Sequence, residues 1–245
     1  MLTSTIAFAT AGFWMLMIFD CVRNEPKGSS WLWLLIIMNF PGAVIYFAAR
    51  KLPYLDIPVP NFFKRWTMKD ALWNAEAGVA NIGKSHQHVI LGNVLMEMGD
   101  LDRALASYQE ALKKETANTH ALWGCGTIEM RRGNFDSVQK YLKDLLEIDA
   151  EYKRGEASLL YGKALYELTQ WSAAKQHLDL DVKRWSHSES FLLLAKIALN
   201  HDGDKVAAKN YLETMLARLK ASPRFNYRKN QDLIRSAQKI LKTLK

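Results

Sequence analysis

The sequence predicts an all-α protein in two parts: an apolar two-helix hairpin, then a stacked array of helix pairs. Three observations carry this. Between Ser85 and Tyr152 one unit of 34 residues is written twice in register, so that Leu91-Gly92 becomes Cys125-Gly126, Gly99 becomes Gly133, and Tyr108 becomes Leu142. A fixed period of this length marks an array of helix–turn–helix units. Met1 to Phe19 and Gly28 to Ala49 contain no charged side chain, and each is long enough to cross a hydrocarbon core of about 30 Å as a helix. From Lys51 onward the chain is amphipathic and ordinary in charge.

The two apolar runs predict spans over residues 2–19 and 29–49. Asp20 to Lys27 joins them, short and polar, with Pro26 to break the helix. A join this tight requires antiparallel spans. Trp31 and Trp33 stand at the start of the second, where amphipathic rings favour the membrane interface. A cleaved signal peptide would need a basic segment before the apolar run, and no Lys or Arg precedes Asp20. Arg23 and Lys27 lie in the loop, whereas Arg50, Lys51, Lys64, Arg65 and Lys69 follow the second run. By the excess of basic residues on cytoplasmic segments, the expectation is a multi-pass membrane protein with two spans, its N-terminus and array both cytoplasmic. Phe19-Asp20, the basic loop, Trp31 or Trp33, and Ile36 to Tyr46 with Pro41-Gly42 resemble the N-terminal membrane hairpin of the cardiolipin synthase and phospholipase D family. Pro41-Gly42 is expected to kink the second span. That family's catalytic His-x-Lys is missing, since none of the six histidines is followed two residues later by Lys. The hairpin thus reads as an anchor without the transferase chemistry.

Residues 51–66 form a linker that Pro53, Pro58 and Pro60 make extended and stiff. Thr67 is expected to cap a helix running to about Ile82, with Gly83 ending it. The array then occupies 67–245, with units over about 85–118, 119–152, 155–188 and 189–222 and a capping helix over about 227–244. A two-residue insertion precedes the third unit, and Thr169 replaces the turn glycine there.

The unit resembles the tetratricopeptide repeat. Leu91, Gly92, Gly99, Ala104, Tyr108 and Ala111 stand at that family's packing points. Gly126 and Gly133, then Gly162, Ala174 and Leu178, then Ala195, Gly203, Ala208 and Leu212 continue the pattern. The family's proline at the end of the unit is replaced by Thr116 and Ala150. The resemblance implies an α-solenoid of about four helix pairs whose first helices line a concave groove. Helical faces then place His86, Val89, Asn93 and Met96 in that groove, followed by His120, Trp123, Thr127, Met130 and Arg131. Glu156, Leu159, Lys163 and Tyr166 follow, and then Ser190, Leu193, Ile197 and Asn200. Trp123 is the leading candidate anchor, since aromatic and Met side chains in a groove seat partner segments. The alternative is that Trp123 packs on the preceding helix as core. Some family members clamp a peptide carboxylate with Lys, Asn and Arg; Asn93 matches one position, but Val89 and Gly124 stand at two others.

The residues exclude several other functions. His86 and His88 fall on different faces of a helix, so no metal site is expected, and no phosphate loop or nucleophile elbow occurs. The expectation is no catalytic residue, no cofactor and no enzyme. Cys21 and Cys125 form no framework. The net charge of +8 resides in residues 216–245, which hold nine basic side chains and one acid. There Leu233, Ile234, Ala237, Ile240, Leu241 and Leu244 make an apolar stripe, and Arg228, Arg235, Lys239 and Lys242 fall off it. This is a capping helix with a basic outer face that is a candidate contact for anionic lipid. Nucleic acid is disfavoured for want of an aromatic platform. The sequence thus points to a membrane-anchored scaffold that binds a protein partner, itself membrane-associated, in assembly or maintenance of a membrane or envelope complex. A non-catalytic accessory of a phospholipid enzyme is the alternative.

Overall fold

The computed structural model describes residues 2–24, 30–50 and 67–244, without the side chains of 2–9, 24, 224 and 225. The chain divides into two compact units, Met1–Pro60 and Asn61–Lys245. The proline-containing linker over 51–66 lies outside the described residues.

In the first unit α1 (Leu2–Asn24) packs on α2 (Trp31–Arg50). The second helix, expected to kink at Pro41-Gly42, breaks just before that pair, at Asn39. Asn39 has φ 52° and ψ −126°, the conformation of the first central residue of a type II′ turn, which Asn adopts more readily than most residues. Pro41 follows at the start of a new helical arm. There its fixed φ is an advantage, whereas in an unbroken helix its ring would clash with the preceding turn. The arms 31–38 and 41–50 fold against each other. A Cβ on Gly42 would lie 2.5 Å from the Leu34 carbonyl oxygen, so glycine is what lets them meet. The rings of Trp31 and Tyr46 stand 5.7 Å apart; in a straight helix that separation in sequence spans about 22 Å. Trp14 Nε1 donates to the Leu35 carbonyl (2.8 Å), and the Tyr46 hydroxyl donates to Asp20 (3.0 Å). Phe13 meets Phe40 and Phe47 edge-on.

The second unit is helical throughout its described residues. It opens with α3 (Lys69–Asn81), where Met68 rather than Thr67 stands at the cap position. Gly83, at φ 61°, ends it. Four helix pairs follow: α4 (Ser85–Glu97) with α5 (Leu101–Lys114), α6 (Thr119–Arg132) with α7 (Phe135–Ile148), α8 (Glu156–Glu167) with α9 (Trp171–Arg184), and α10 (Ser188–Asn200) with α11 (Lys205–Ala221). Gly99, Gly133 and Gly203 turn the chain inside their pairs at φ 70–79°, while Thr169 does the same at φ 57°. Asp100, Asn118 and Asp204 accept hydrogen bonds from the first-turn amides of Arg103, Ala121 and Ala207, satisfying donors a helix start leaves free.

Small residues set the helix crossings. The fully buried Tyr108 ring lies between Gly92 and Gly124, and a Cβ on either would come within 2.6 Å of it. Gly126 meets Leu142, and Gly162 meets Leu178, in the same way. Neighbouring units are also tied by polar pairs about one period apart: Asn118 to Ser85 (3.0 Å), Gln139 to Gln170 (2.9 Å), Tyr211 to Asp179 (3.0 Å), and Arg132 to Asp102. The insertion before the third unit becomes a short 3-10 turn, Tyr152–Gly155. Lys153, Arg154 and Gly155 all have positive φ there, and Gly155 lies directly under the Trp185 ring. The single capping helix expected over 227–244 is instead α12 (Arg224–Lys229) and α13 (Gln231–Thr243). They part at Asn230, whose amide bonds the Asn226 carbonyl (2.8 Å). Ile234 and Ala237 of α13 complete the last core, with Leu233, Ile240, Leu241 and Leu244 half-buried beside them. Such a cap is what an array needs at its end, because each unit buries its apolar face only on a neighbour.

Candidate functional site

The first helices of successive pairs touch one another, α4 to α6, α6 to α8, and α8 to α10. They form one continuous wall, and the side chains they leave uncovered line the candidate groove.

Trp123 is neither free nor fully core. It is half-buried on α6, packs with the cluster around Leu122 and Leu142, and lies 5.8 Å from the Tyr152 ring. Lys153 Nζ stands over its face at 4.8 Å, a cation–π contact. His120 Nδ1 is 2.8 Å from the Tyr152 hydroxyl. Burial pushes the Tyr152 phenol above its ordinary pKa, so it remains a neutral hydrogen-bonding group. Tyr152 and Lys153 were absent from the sequence-derived site. They come from the inserted 3-10 turn, and that insertion was the signal that could have found them.

Along the wall, Met96 and Thr127 lie together, Thr127 Oγ1 being 4.0 Å from the thioether sulfur. Met130 is half-buried beside Trp123 in the same cluster. Arg131 and His86 are exposed. Val89 is buried, 4% exposed, in the core with Leu95 and Tyr108, so it supports the wall and offers no accessible surface. Asn93 is exposed, but its Oδ1 accepts the Tyr108 hydroxyl (2.6 Å). Gly124 gives its space to the same tyrosine ring. The clamp positions are thus used to seat Tyr108.

In the third unit Leu159 is half-buried and Glu156 exposed. Lys163 pairs with Glu189 of α10 (2.7 Å). Tyr166 packs edge-on against Trp171 (5.2 Å), with Lys196 Nζ 6.0 Å from its centroid. The fourth unit departs from the expected register. Ser190, Leu193 and Ile197 are buried, and the side chains that reach the third unit are Glu189 and Lys196. The loop after α10 is longer than the corresponding loop after α8, His201 to Asp204 against Leu168 to Gln170. The face therefore falls one residue earlier than the 34-residue register places it.

Behind the third and fourth units lies a buried polar cluster. Asp181, 2% exposed, accepts from Ser190 Oγ (2.6 Å) and lies 3.0 Å from His187 Nδ1. Burial pulls its pKa up, but the hydrogen bonds from His187 and Ser190 outweigh this and hold the carboxyl below its usual value. His177 Nε2 is 3.0 Å from the Ser158 carbonyl oxygen, and burial lowers its pKa. Burial also pushes the Cys125 thiol up to about 12, which removes it as a nucleophile. The basic residues Arg228, Arg235, Lys239 and Lys242 are exposed on α12 and α13.

Comparison with known proteins agrees with this architecture. Residues 95–155 match the family model described as Tetratricopeptide repeat, and residues 12–51 match Phospholipase_D-nuclease N-terminal. No curated protein matches the chain. Among solved structures, the MamA protein is 20% identical, with a TM-score of 0.53 over 65% of this chain and 89% of that one. YrrB, a TPR protein with an unusual peptide-binding site, is 18% identical, with a TM-score of 0.53 over 69% of this chain and 89% of that one. Pseudomonas aeruginosa pilF is 15% identical, with a TM-score of 0.54 over 75% and 86%. The array of helix pairs accordingly has the fold of a tetratricopeptide-like α-solenoid, and the segment before it is similar to the phospholipase D-nuclease N-terminal region.

Proposed function

We propose that this protein is a membrane-anchored tetratricopeptide scaffold. Its repeats lie on the cytoplasmic side and receive a segment of a membrane-associated protein partner in the groove of α4, α6, α8 and α10, in assembly or maintenance of a membrane or envelope complex. The observation that carries the reading is the half-buried Trp123, which meets Tyr152 and Lys153, on the same wall as Met96, Thr127 and Met130. Rigid aromatics beside adaptable thioethers suit an apolar anchor residue on a partner. Anchoring is supported by α2, which is apolar enough by composition to cross a membrane, and by the match over residues 12–51. No reaction is proposed.

The test is a pull-down from solubilised membranes with wild type and a Trp123→Ala/Tyr166→Ala double variant, with helicity checked by circular dichroism. Loss of the groove partner from a folded variant is expected. An unchanged partner set overturns the groove reading. A second reading is a non-catalytic accessory of a phospholipid enzyme, favoured by the same match and by the exposed cations of α12 and α13. It predicts salt-sensitive binding to anionic vesicles that Arg235→Gln/Lys239→Gln/Lys242→Gln weakens, together with an altered lipid profile in cells lacking the protein.

A further inference from the structure

The first unit pairs one unbroken helix with one that doubles back at Asn39. The 23 residues of α1 make a rod of about 34 Å at 1.5 Å per residue, enough for a hydrocarbon core of about 30 Å. The arms of α2, 31–38 and 41–50, reach only about 12 and 15 Å. Because they fold on each other at Asn39, α2 begins and ends at the same level, as the 5.7 Å separation of Trp31 and Tyr46 requires. The contacts with α1 fix that level. Tyr46 bonds Asp20, near the C-terminal end of α1, while Phe40, at the turn, meets Phe13 halfway along it.

Two further observations point to lipid around this fold. Its outer surface is apolar, with Met15, Leu16, Phe19, Val22, Trp33 and Ile37 all more than 60% exposed. Its broken helix receives a hydrogen bond from protein. The Leu35 carbonyl, in the last turn before the break, accepts a hydrogen bond from Trp14 Nε1 (2.8 Å). Interrupted helix is tolerated at membrane depth only where protein groups take up the freed backbone. Charge gives the direction. Residues 1–22 contain no Lys or Arg, whereas Arg23 lies in the last turn of α1 and Arg50 in the last turn of α2, and Lys27 and Lys51 follow them in the sequence.

We infer that α1 alone crosses the bilayer and that α2 is a re-entrant wedge, entering and leaving on the basic side. The N-terminal end of α1 then lies across the membrane from the repeats, and the basic side is cytoplasmic. This rests on the anchoring proposed above and replaces the two-span hairpin expected from the sequence.

The test is sidedness of the full-length protein in intact cells, read with a membrane-impermeant maleimide. Cys21 and Cys125 are both buried, so the wild type supplies the background. Thr3→Cys, Ser30→Cys and Ser172→Cys report the N-terminal end, the start of α2 and the repeats. The expected pattern is labelling of Thr3→Cys from outside, with the other two labelled only after permeabilisation. Labelling of Ser30→Cys from outside with Thr3→Cys protected overturns the inference in favour of two spans. Protection of all three before permeabilisation shows that α1 does not cross and equally overturns it. Labelling of Ser172→Cys from outside overturns the orientation. Recovery of the wild type in the soluble fraction defeats the anchoring itself, which fractionation reads separately from labelling.

Discussion

The two units of this chain both reverse direction at residues of positive φ and both hold an apolar interior, but they expose different surfaces. In the repeats, positive φ at Gly99, Gly133 and Gly203 turns one helix back on the next, and the apolar side chains go inside, with Tyr108, Leu142 and Leu178 fully buried. In the first unit, positive φ at Asn39 does the same, yet Phe19, Trp33 and Ile37 face outward while Asp20 and Tyr46 are joined by a hydrogen bond. Helix pairs stack in water because apolar burial drives them together. A helical unit in lipid gains nothing from hiding leucine and must instead satisfy its polar groups internally. On the anchoring proposed above, the contrast is between a surface suited to water and one suited to lipid.

Breaking the reversal in the first unit should have the largest effect. Asn39→Leu/Pro41→Ala removes both the residue that tolerates positive φ and the proline that starts the second arm. It should yield a straight 20-residue helix that spans, and with the repeats kept cytoplasmic α1 must then insert in the opposite sense, so that Ser30→Cys becomes accessible from outside the cell and Thr3→Cys becomes protected. If labelling of Ser30→Cys is unchanged, Asn39 and Pro41 do not hold the fold-back.

In the repeats the corresponding test is the Tyr108 seat. Tyr108→Ala should lower stability by about 3–5 kcal/mol, as for other large aromatic deletions in cores, read by chemical denaturation. Gly124→Ala forces a methyl against the ring and should cost about 1–3 kcal/mol. Its cost should shrink in the Tyr108→Ala background, which a double-mutant cycle would show as non-additivity.

A pH effect should follow from the buried polar groups of α9. His177 has a lowered pKa when folded, so the unfolded chain binds its proton more tightly. Stability should therefore fall as pH drops through the ordinary histidine value of about 6.5, and His177→Gln should flatten a melting-temperature profile taken between pH 8 and 5. Asp181, whose pKa is lowered, adds a further loss only at more acidic pH, below the usual carboxylate value.

The smallest effect is expected at Thr169. A β-branched residue in the left-handed region is strained by about 1–2 kcal/mol, partly offset by the greater unfolded-state freedom of glycine. Thr169→Gly should stabilise by about 0.5–1 kcal/mol, raising the denaturation midpoint.

Much of the fold was legible in the residues. The register of Gly92 with Gly126 and of Tyr108 with Leu142 located the helix pairs, because close crossings demand a small residue opposite a large one. The site was less so. Trp123, Thr127 and Met130 follow from helical spacing, but Tyr152 and Lys153 reach Trp123 through an insertion that no repeat period describes. Val89 carries the apolar character of its face and still lies beneath it. In the fourth unit a longer turn displaced the expected face by one residue, enough to exchange the buried Ser190 and Ile197 for Glu189 and Lys196.

By itself the sequence determined that the chain is helical, where its repeats begin, and that its first fifty residues are apolar. Those properties reside in local spacing and composition. Tertiary structure decided that α2 doubles back at Asn39, that Gly124 seats Tyr108 and leaves no clamp, and that Tyr152 and Lys153 lie against Trp123. Each depends on which side chains meet across separate helices, and a one-dimensional period does not specify those meetings.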